Sequence, residues 1–208
     1  VERSFDKVLV ISAHPLAGDV GAGGFMCKCV DDEVEAYLAV MSSGEKGIPE
    51  ITPRKLGPLR EKEQRAAAEA LGVTDVFFLG FSDTQILDTM PTRLKLVEVI
   101  REVRPDIVLT HSEMDTHPDH GATAAATFAA AMYASLPSVE AGKSPHLVKS
   151  VFTYGLPGYT IGFVPEIYLD ITGVIERKIK AISCYKATIQ HLGWPLERWV
   201  DTWLLQDK

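Results

Sequence analysis

The sequence predicts an α/β fold, a three-layer, Rossmann-like, doubly wound sheet that is mostly parallel. Short apolar runs typical of buried strands alternate with segments of helical periodicity, at the close spacing of a doubly wound fold. A polar loop rich in histidine, residues 110–120, directly follows one of these apolar runs. Ligands of open α/β sheets bind beyond the carboxyl ends of the strands, so the site is expected there.

The apolar runs predict the strands. The first, residues 7–13, is continuously apolar, as expected of a central strand covered on both faces. His14-Pro15 ends it, because a residue before proline disfavours helix. The six predicted strands cover residues 7–13, 34–41, 74–79, 106–109, 146–154 and 163–171.

Apolar periodicity and helix-end signals predict the helices. Glycines at 18, 21, 23 and 24 let the first helix press closely on the sheet. Gly72 ends the second helix, Pro105 ends the third, and Thr172 is the predicted N-cap of the last long one. The predicted helices cover residues 19–32, 59–71, 92–103, 121–134 and 174–191, with irregular loops at 48–58 and 135–144. The tail, residues 193–208, carries all three tryptophans and is expected to pack as a last helix or to pair with another chain.

Size and composition favour one domain that spans residues 1–208. The chain is 46% hydrophobic and 24% charged, which suits a single compact core, and its net charge of −7 argues against nucleic-acid or anionic-membrane partners. Three cysteines, two of them as Cys27-x-Cys29, form no disulfide framework and no zinc ribbon. No run approaches the ~20 apolar residues of a membrane span, and no signal peptide is visible. We therefore expect a cytoplasmic protein in a reducing compartment.

Two separate histidine positions indicate a metal site. Residues 110–120 contain His111, His117 and His120 together with three carboxylates, and His14 ends the first strand. The two loops can meet where the strand order of a doubly wound sheet reverses. Two histidines and a carboxylate leave a fourth zinc position for water, whose pKa the metal lowers to about 7. The alternatives are structural histidines that cap the next helix, or a dinucleotide fold, for which the glycine spacing after the first strand is poor.

The motifs of the chain together resemble those of the PIG-L, or LmbE-like, family of zinc-dependent N-deacetylases, from about residue 7 to residue 171. Only the His117-Pro118-Asp119-His120 motif is specific by itself. The motifs are, in order, Ser12-Ala13-His14-Pro15 with Gly23-Gly24, Ser43-Gly44-Glu45, Arg60-x-x-Glu63 leading into residues 70–73, and residues 78–83, 104–111 and 117–120.

The resemblance implies one zinc ion at the carboxyl edge of the sheet and a small-molecule substrate. By resemblance, His14 and His120 are zinc ligands. His117 then acts as an acid or oxyanion partner, with Asp119 supporting it in catalysis. The residues expected to contact the substrate are Arg60, Asp83 and Asp115.

The chain departs from the family at the first motif, which usually reads Ala-His-Pro-Asp-Asp. In the family the first aspartate is the general base and the second is the third zinc ligand, but here the two positions are Leu16 and Ala17. Asp19 is the nearest carboxylate and is the predicted third ligand, although it equally suits the N-cap of the following helix. Other residues that could replace the missing aspartates are the three carboxylates of the histidine loop, Glu113, Asp115 and Asp119.

Three functions stay open. The first is a zinc-dependent hydrolase that removes an acetyl or other acyl group from an amide nitrogen. The second is a zinc-dependent hydratase of an unsaturated dicarboxylate or tricarboxylate from aromatic-ring breakdown. Arg60 and Lys46 would bind the carboxylates of that substrate. Residues 115–117 and 163–172 resemble that branch, whose first motif also lacks the first aspartate. The third is a non-catalytic, binding or oligomeric member of the family, and a homo-oligomer is compatible with all three.

Overall fold

A five-stranded, fully parallel sheet forms the centre of the molecule. The computed structural model describes residues 5–193. The strands are β1 (Lys7–Ser12), β2 (Glu35–Ser42), β3 (Asp75–Phe81), β4 (Ile107–His111) and β5 (Ser150–Tyr154). Their order is β3-β2-β1-β4-β5, and every neighbouring pair is parallel. The predicted doubly wound fold is confirmed, and the strand order reverses at β1.

Helices cover both faces of the sheet and complete the three layers. They are α1 (Ala17–Asp31), α2 (Pro53–Leu71), α3 (Met90–Val103), α4 (Pro118–Ala134), α5 (Ile175–Ile182) and α6 (Lys186–Leu192), with a 3₁₀ turn at Thr172–Val174. Side chains of α1, α2 and α5 pack on one face, and those of α3 and α4 pack on the other. Within residues 5–193, no helix has both the length and the apolar character needed to cross a membrane.

Strand β1 supplies both faces of the core. Val8 and Val10 pack beneath α1, while Leu9 and Ile11 pack beneath α3 and α4. Successive side chains of a strand point to opposite faces, so a strand with helices on both sides must be apolar throughout. The continuous run in the sequence therefore reflects its central position.

Two helices begin three or more residues earlier than predicted, in each case at a proline. Helix α2 begins at Pro53 and α4 at Pro118, whereas the sequence prediction placed these starts at residues 59 and 121. Proline suits the first position of a helix, because the N–H that it lacks would have no partner there. The early start of α4 makes His117 its N-cap and places His120 in its first turn.

The predicted strand at residues 163–171 is wrong. The segment is irregular and is not part of the sheet, and Pro165 has no backbone N–H to donate to a neighbouring strand. Its apolar side chains face outward, with Val164 at 79% and Tyr168 at 81% exposure. The predicted strand at 146–154 is shorter than expected and begins at Ser150.

The predicted helix at residues 174–191 is broken into α5 and α6. Ser183, Cys184 and Tyr185 separate the two helices, and Tyr185 is fully buried. Thr172 is not an N-cap, because it opens the 3₁₀ turn and α5 follows Val174 without a side-chain cap. Gly193 ends α6, and the rest of the tail prediction, with its tryptophans, lies outside the described residues.

Candidate metal centre

The loops that follow β1 and β4 meet at the carboxyl edge of the sheet. The two strands are adjacent, with Leu9 opposite Val108, so their ends lie side by side. His14 lies two residues beyond β1, and His120 lies in the first turn of the helix that follows β4. The structure thus brings together two histidines that are 106 residues apart in sequence.

The two imidazoles face each other through one nitrogen each. Nδ1 of His14 lies 3.3 Å from Nε2 of His120. Behind them, Nε2 of His14 lies 2.9 Å from Oδ2 of Asp119 and 3.1 Å from Oδ1 of Asp83. Nδ1 of His120 lies 2.9 Å from Oδ2 of Asp115. Carboxylates accept hydrogen bonds, so in the neutral rings the outer nitrogens carry the protons and the facing nitrogens carry lone pairs.

Within residues 5–193, three sets of side chains place metal-ligating atoms within 4.8 Å of one another. The sets are His14, His117 and His120; His111, Asp115 and His120; and His14, Asp83 and Asp119. His14 and His120 each belong to two sets, and they share one of them. The centre of the cluster is therefore the space between these two rings.

His117 lies beside the facing pair, and its ring accepts a hydrogen bond from the backbone. Its Nδ1 accepts the backbone N–H of Asp119 at 3.2 Å, so Nε2 carries the proton in the neutral ring. Its ring stacks on that of His120, with centroids 4.4 Å apart and planes 17° apart. Imidazole binds metal within its ring plane, so two stacked rings do not point their nitrogens at one ion. Burial and the neighbouring His120 and His14 lower the pKa of His117 and favour the neutral form.

Asp119 and Asp83 both contact His14. The backbone N–H groups of Thr84 and Ile86 donate to Asp119 at 2.7 and 3.2 Å, and that of Lys46 donates to Asp83 at 2.9 Å. Burial favours a raised pKa for Asp83, but the hydrogen bond and charge of His14 outweigh it and hold the pKa at about 2. Both carboxylates are therefore charged. Support of His117 by Asp119 in catalysis stays a prediction. In the structure the backbone N–H of Asp119 donates to His117, whereas its carboxylate contacts His14.

Asp19, the predicted third ligand, belongs to none of the three sets. Nε2 of Gln64 donates to its Oδ2 at 3.0 Å, and the hydroxyl of Tyr185 donates to the same oxygen. The side chain is fully buried, and burial raises its pKa to about 6. Metal ligation by Asp19 stays a prediction. The N-cap alternative is wrong, because the N-cap of α1 is Leu16 and Asp19 lies in the first turn.

The three residues expected to contact the substrate make contacts within the protein. Asp115 binds His120 and accepts the backbone N–H of His117 at 2.9 Å, so it organises the histidine loop. Arg60 is buried and donates to the carbonyl oxygens of Gly44 at 2.9 Å and Pro15 at 3.0 Å, so it ties two site loops together. Lys46 donates to the loop after β3. Contact of Arg60, Asp83 and Asp115 with substrate stays a prediction.

Two residues of the site were given no role from the sequence. His111 is fully buried, accepts the backbone N–H of Ala13 at 2.9 Å and stacks on His120 with planes 12° apart. A histidine at the last position of a buried apolar strand was the available signal. Tyr159 lies with its ring centroid 5.8 Å from that of His120, and it comes from an irregular segment that gave no signal.

The comparisons with known proteins identify the family. Residues 9–131 match the family described as PIG-L: GlcNAc-PI de-N-acetylase, so the chain belongs to this family of metal-dependent deacetylases. Diacetylchitobiose deacetylase of Thermococcus kodakarensis is 30% identical over 91% of this chain and 73% of its own length. The match covers the histidine loop and most of the fold.

Two solved structures of related proteins are similar to the fold of this chain. N,N'-diacetylchitobiose deacetylase from Pyrococcus horikoshii superposes with a TM-score of 0.83 at 27% identity, covering 96% of this chain and 77% of that one. GalB, the 4-carboxy-2-hydroxymuconate hydratase from Pseudomonas putida, gives 0.82 at 26% identity, with 96% and 83% covered. The chain is thus similar to sugar N-deacetylases and, at lower identity, to a hydratase.

Proposed function

We propose that this chain is a zinc-dependent hydrolase that removes an acetyl group from an amide nitrogen of a small, sugar-like substrate. The observation that carries the proposal is the pair of facing nitrogens of His14 and His120. Two nitrogens bound at ~2.0–2.1 Å to one tetrahedral zinc lie about 3.3–3.4 Å apart. The observed separation of 3.3 Å fits. Asp115 and Asp119 fix the ring tautomers that such a pair needs.

The residues around the pair supply the rest of the chemistry. When bound, zinc polarises a carbonyl oxygen and makes water a better nucleophile at neutral pH. In its neutral form His117 offers Nε2–H as a hydrogen bond to the developing oxyanion, and the Asp119 backbone holds it in that tautomer. Protonating the leaving amine requires the imidazolium form of the same ring. Arg60 holds the loop of His14 through the carbonyl of Pro15. Neither Leu16 nor Ala17 can take a proton, so the chain lacks the usual base.

The direct test is acetate release from N,N'-diacetylchitobiose by the purified full-length chain. We expect release in the presence of zinc, loss with a chelator and recovery on adding zinc back. His120→Ala should lower the rate by roughly 100-fold or more, because the metal loses one of two imidazoles. Protein that holds zinc but leaves the substrate intact under all conditions would argue against the proposal.

Restoring the acids of the first motif gives a second test. Leu16 has φ +81° and ψ −39°, a strained backbone conformation for leucine and aspartate alike, so aspartate adds no new backbone strain there. Position 17 is the first residue of α1, where a negative side chain is favourable. Leu16→Asp/Ala17→Asp should therefore fold, and it should raise the deacetylation rate by roughly 10²–10⁴ if a missing base limits the wild type. An unchanged, measurable rate would show that a missing base does not limit the wild type, and no acetate release from either protein would favour the non-catalytic alternative.

A hydratase of an unsaturated dicarboxylate is the second candidate. The observation that favours it is the hydratase relative of similar fold, together with the missing acid at position 16. Loss of the substrate double bond, followed by ultraviolet absorbance, would separate the two functions. A chain that hydrates such a dicarboxylate and releases no acetate belongs to the hydratase branch.

Location and assembly are further parts of the proposal. The three free cysteines, Cys27, Cys29 and Cys184, support a reducing compartment, the cytoplasm. Apolar side chains exposed along residues 159–169 are compatible with a homo-oligomer.

A further inference from the structure

The facing imidazoles bring no negative charge of their own to the metal. In the usual ligand set of two histidines and a carboxylate, the carboxylate partly neutralises a divalent ion. Here residues 16 and 17 are apolar, and Asp19 is held by Gln64 and Tyr185. The facing pair by itself thus gives a donor set of two neutral nitrogens, and a bound divalent ion would need its charge balanced by other groups.

Three carboxylates stand directly behind the two rings. Asp83 and Asp119 converge on the outer nitrogen of His14, and Asp115 lies on the outer nitrogen of His120. Their side chains are 7%, 2% and 0% exposed, so water screens their charges weakly. Two carboxylates on one imidazole nitrogen exceed what tautomer selection needs, since one acceptor already fixes the proton.

We propose that this chain holds its metal with two protein ligands, His14 and His120, and that Asp83, with Asp119, positions His14 and supplies the charge of the absent third ligand. The inference rests on the proposed zinc-dependent function and deepens it. Asp83 is then a positioning residue rather than a substrate contact. Asp83 is buried, with 5% of the whole residue exposed, which agrees with that role.

The hydrogen bonds of the carboxylates argue against direct ligation. Both oxygens of Asp119 accept backbone N–H groups, from Thr84 and Ile86. In Asp83, Oδ2 accepts the N–H of Lys46, while Oδ1 faces the outer nitrogen of His14. The ring of His14 thus separates these carboxylates from its inner nitrogen. They act through the imidazole, which becomes a stronger donor as its outer proton is drawn toward negative charge.

The matched comparison is Asp83→Asn against Asp88→Asn. Asp88 follows the same strand, but it pairs with Arg93 and lies in none of the three sets. A competitive titration of zinc against a chromophoric chelator, on the full chain, measures affinity without turnover. We expect Asp83→Asn to weaken zinc binding by roughly 10–100-fold and Asp88→Asn to leave it unchanged. Equal affinities in Asp83→Asn and wild type overturn the proposal.

The unfolding midpoint of each metal-free variant shows whether Asp83→Asn folds. If it does not fold, a measurement on the wild type still tests the proposal. Zinc-edge X-ray absorption counts the imidazoles on the bound ion. Two imidazoles are expected, and three would assign His117 or His111 as a ligand and overturn the proposal. Zinc binding as expected without acetate release would contradict only the hydrolysis. Acetate release with unchanged affinity in Asp83→Asn would contradict only this inference.

Discussion

Asp19 shows that the carboxylate nearest to a motif in sequence can be engaged by residues far away along the chain. Its carboxylate is fully buried between Gln64 and Tyr185, and burial raises its pKa to about 6. Tyr185 comes 166 residues later in the chain. No local pattern connects the two residues, so only the fold could show that Asp19 is engaged.

The raised pKa of Asp19 predicts a pH-dependent stability. The folded state binds this proton more tightly than the unfolded state, whose pKa is near 3.8. The stabilisation is therefore complete below about pH 4 and is lost as the pH rises to about 6, by about 3 kcal/mol in free energy of unfolding. Asp19→Asn should remove this part of the profile.

Urea unfolding of wild type and Asp19→Asn at several pH values between 4 and 7 measures the effect. Other groups titrate in this range, but they cancel in the difference between the two proteins. A difference that stays constant with pH would show that Asp19 has an ordinary pKa.

At the scale of elements, α1 packs on the sheet through its glycines. A Cβ added at Gly21 would lie 2.2 Å from Cδ2 of Tyr154, a buried ring at the end of β5. A Cβ added at Gly23 would make ordinary contacts, at 3.4 Å with Cγ of Lys178 and at 3.7 Å with Cδ2 of Leu71. The two positions lie in the same helix and differ mainly in what they face.

We predict opposite effects for alanine at these two glycines. Gly21→Ala should destabilise the fold by about 1–3 kcal/mol, because the ring of Tyr154 must move. Gly23→Ala should be neutral or stabilising by up to about 1 kcal/mol, because alanine favours helix. Chemical denaturation of both variants measures the difference. Equal losses would mean that helix α1 does not approach the sheet as closely as described.

Elements with strong local signals were predicted well, and elements that depend on distant contacts were not. The buried strands follow from apolar runs, and the helix ends at Gly72 and Val103 follow from the glycine and proline that stop these helices. The segment at 163–171 alternates like a strand, yet it finds no strand to pair with beyond β5. The break between α5 and α6 depends on the burial of Tyr185, which local sequence does not encode.

At the scale of the whole molecule, the topology makes the site. His14 and His120 meet because β1 and β4 are neighbours at the point where the strand order reverses. The sequence predicted this convergence from two strand ends and the motifs of the family. It could not predict the carboxylates behind the rings, because Asp83 reaches His14 from the loop after a third strand, β3.

The central claim is that the facing nitrogens of His14 and His120 hold one metal ion. Calorimetric titration of zinc into the metal-free chain tests it most directly, with His120→Ala as the variant. The control is His191→Gln, since His191 lies on α6 and pairs with Glu50, away from the site. The account predicts one zinc per chain, an affinity at least about 100-fold weaker in His120→Ala, and no change in His191→Gln. Wild-type protein that binds no zinc, or His120→Ala that binds it as tightly as wild type, would contradict the account.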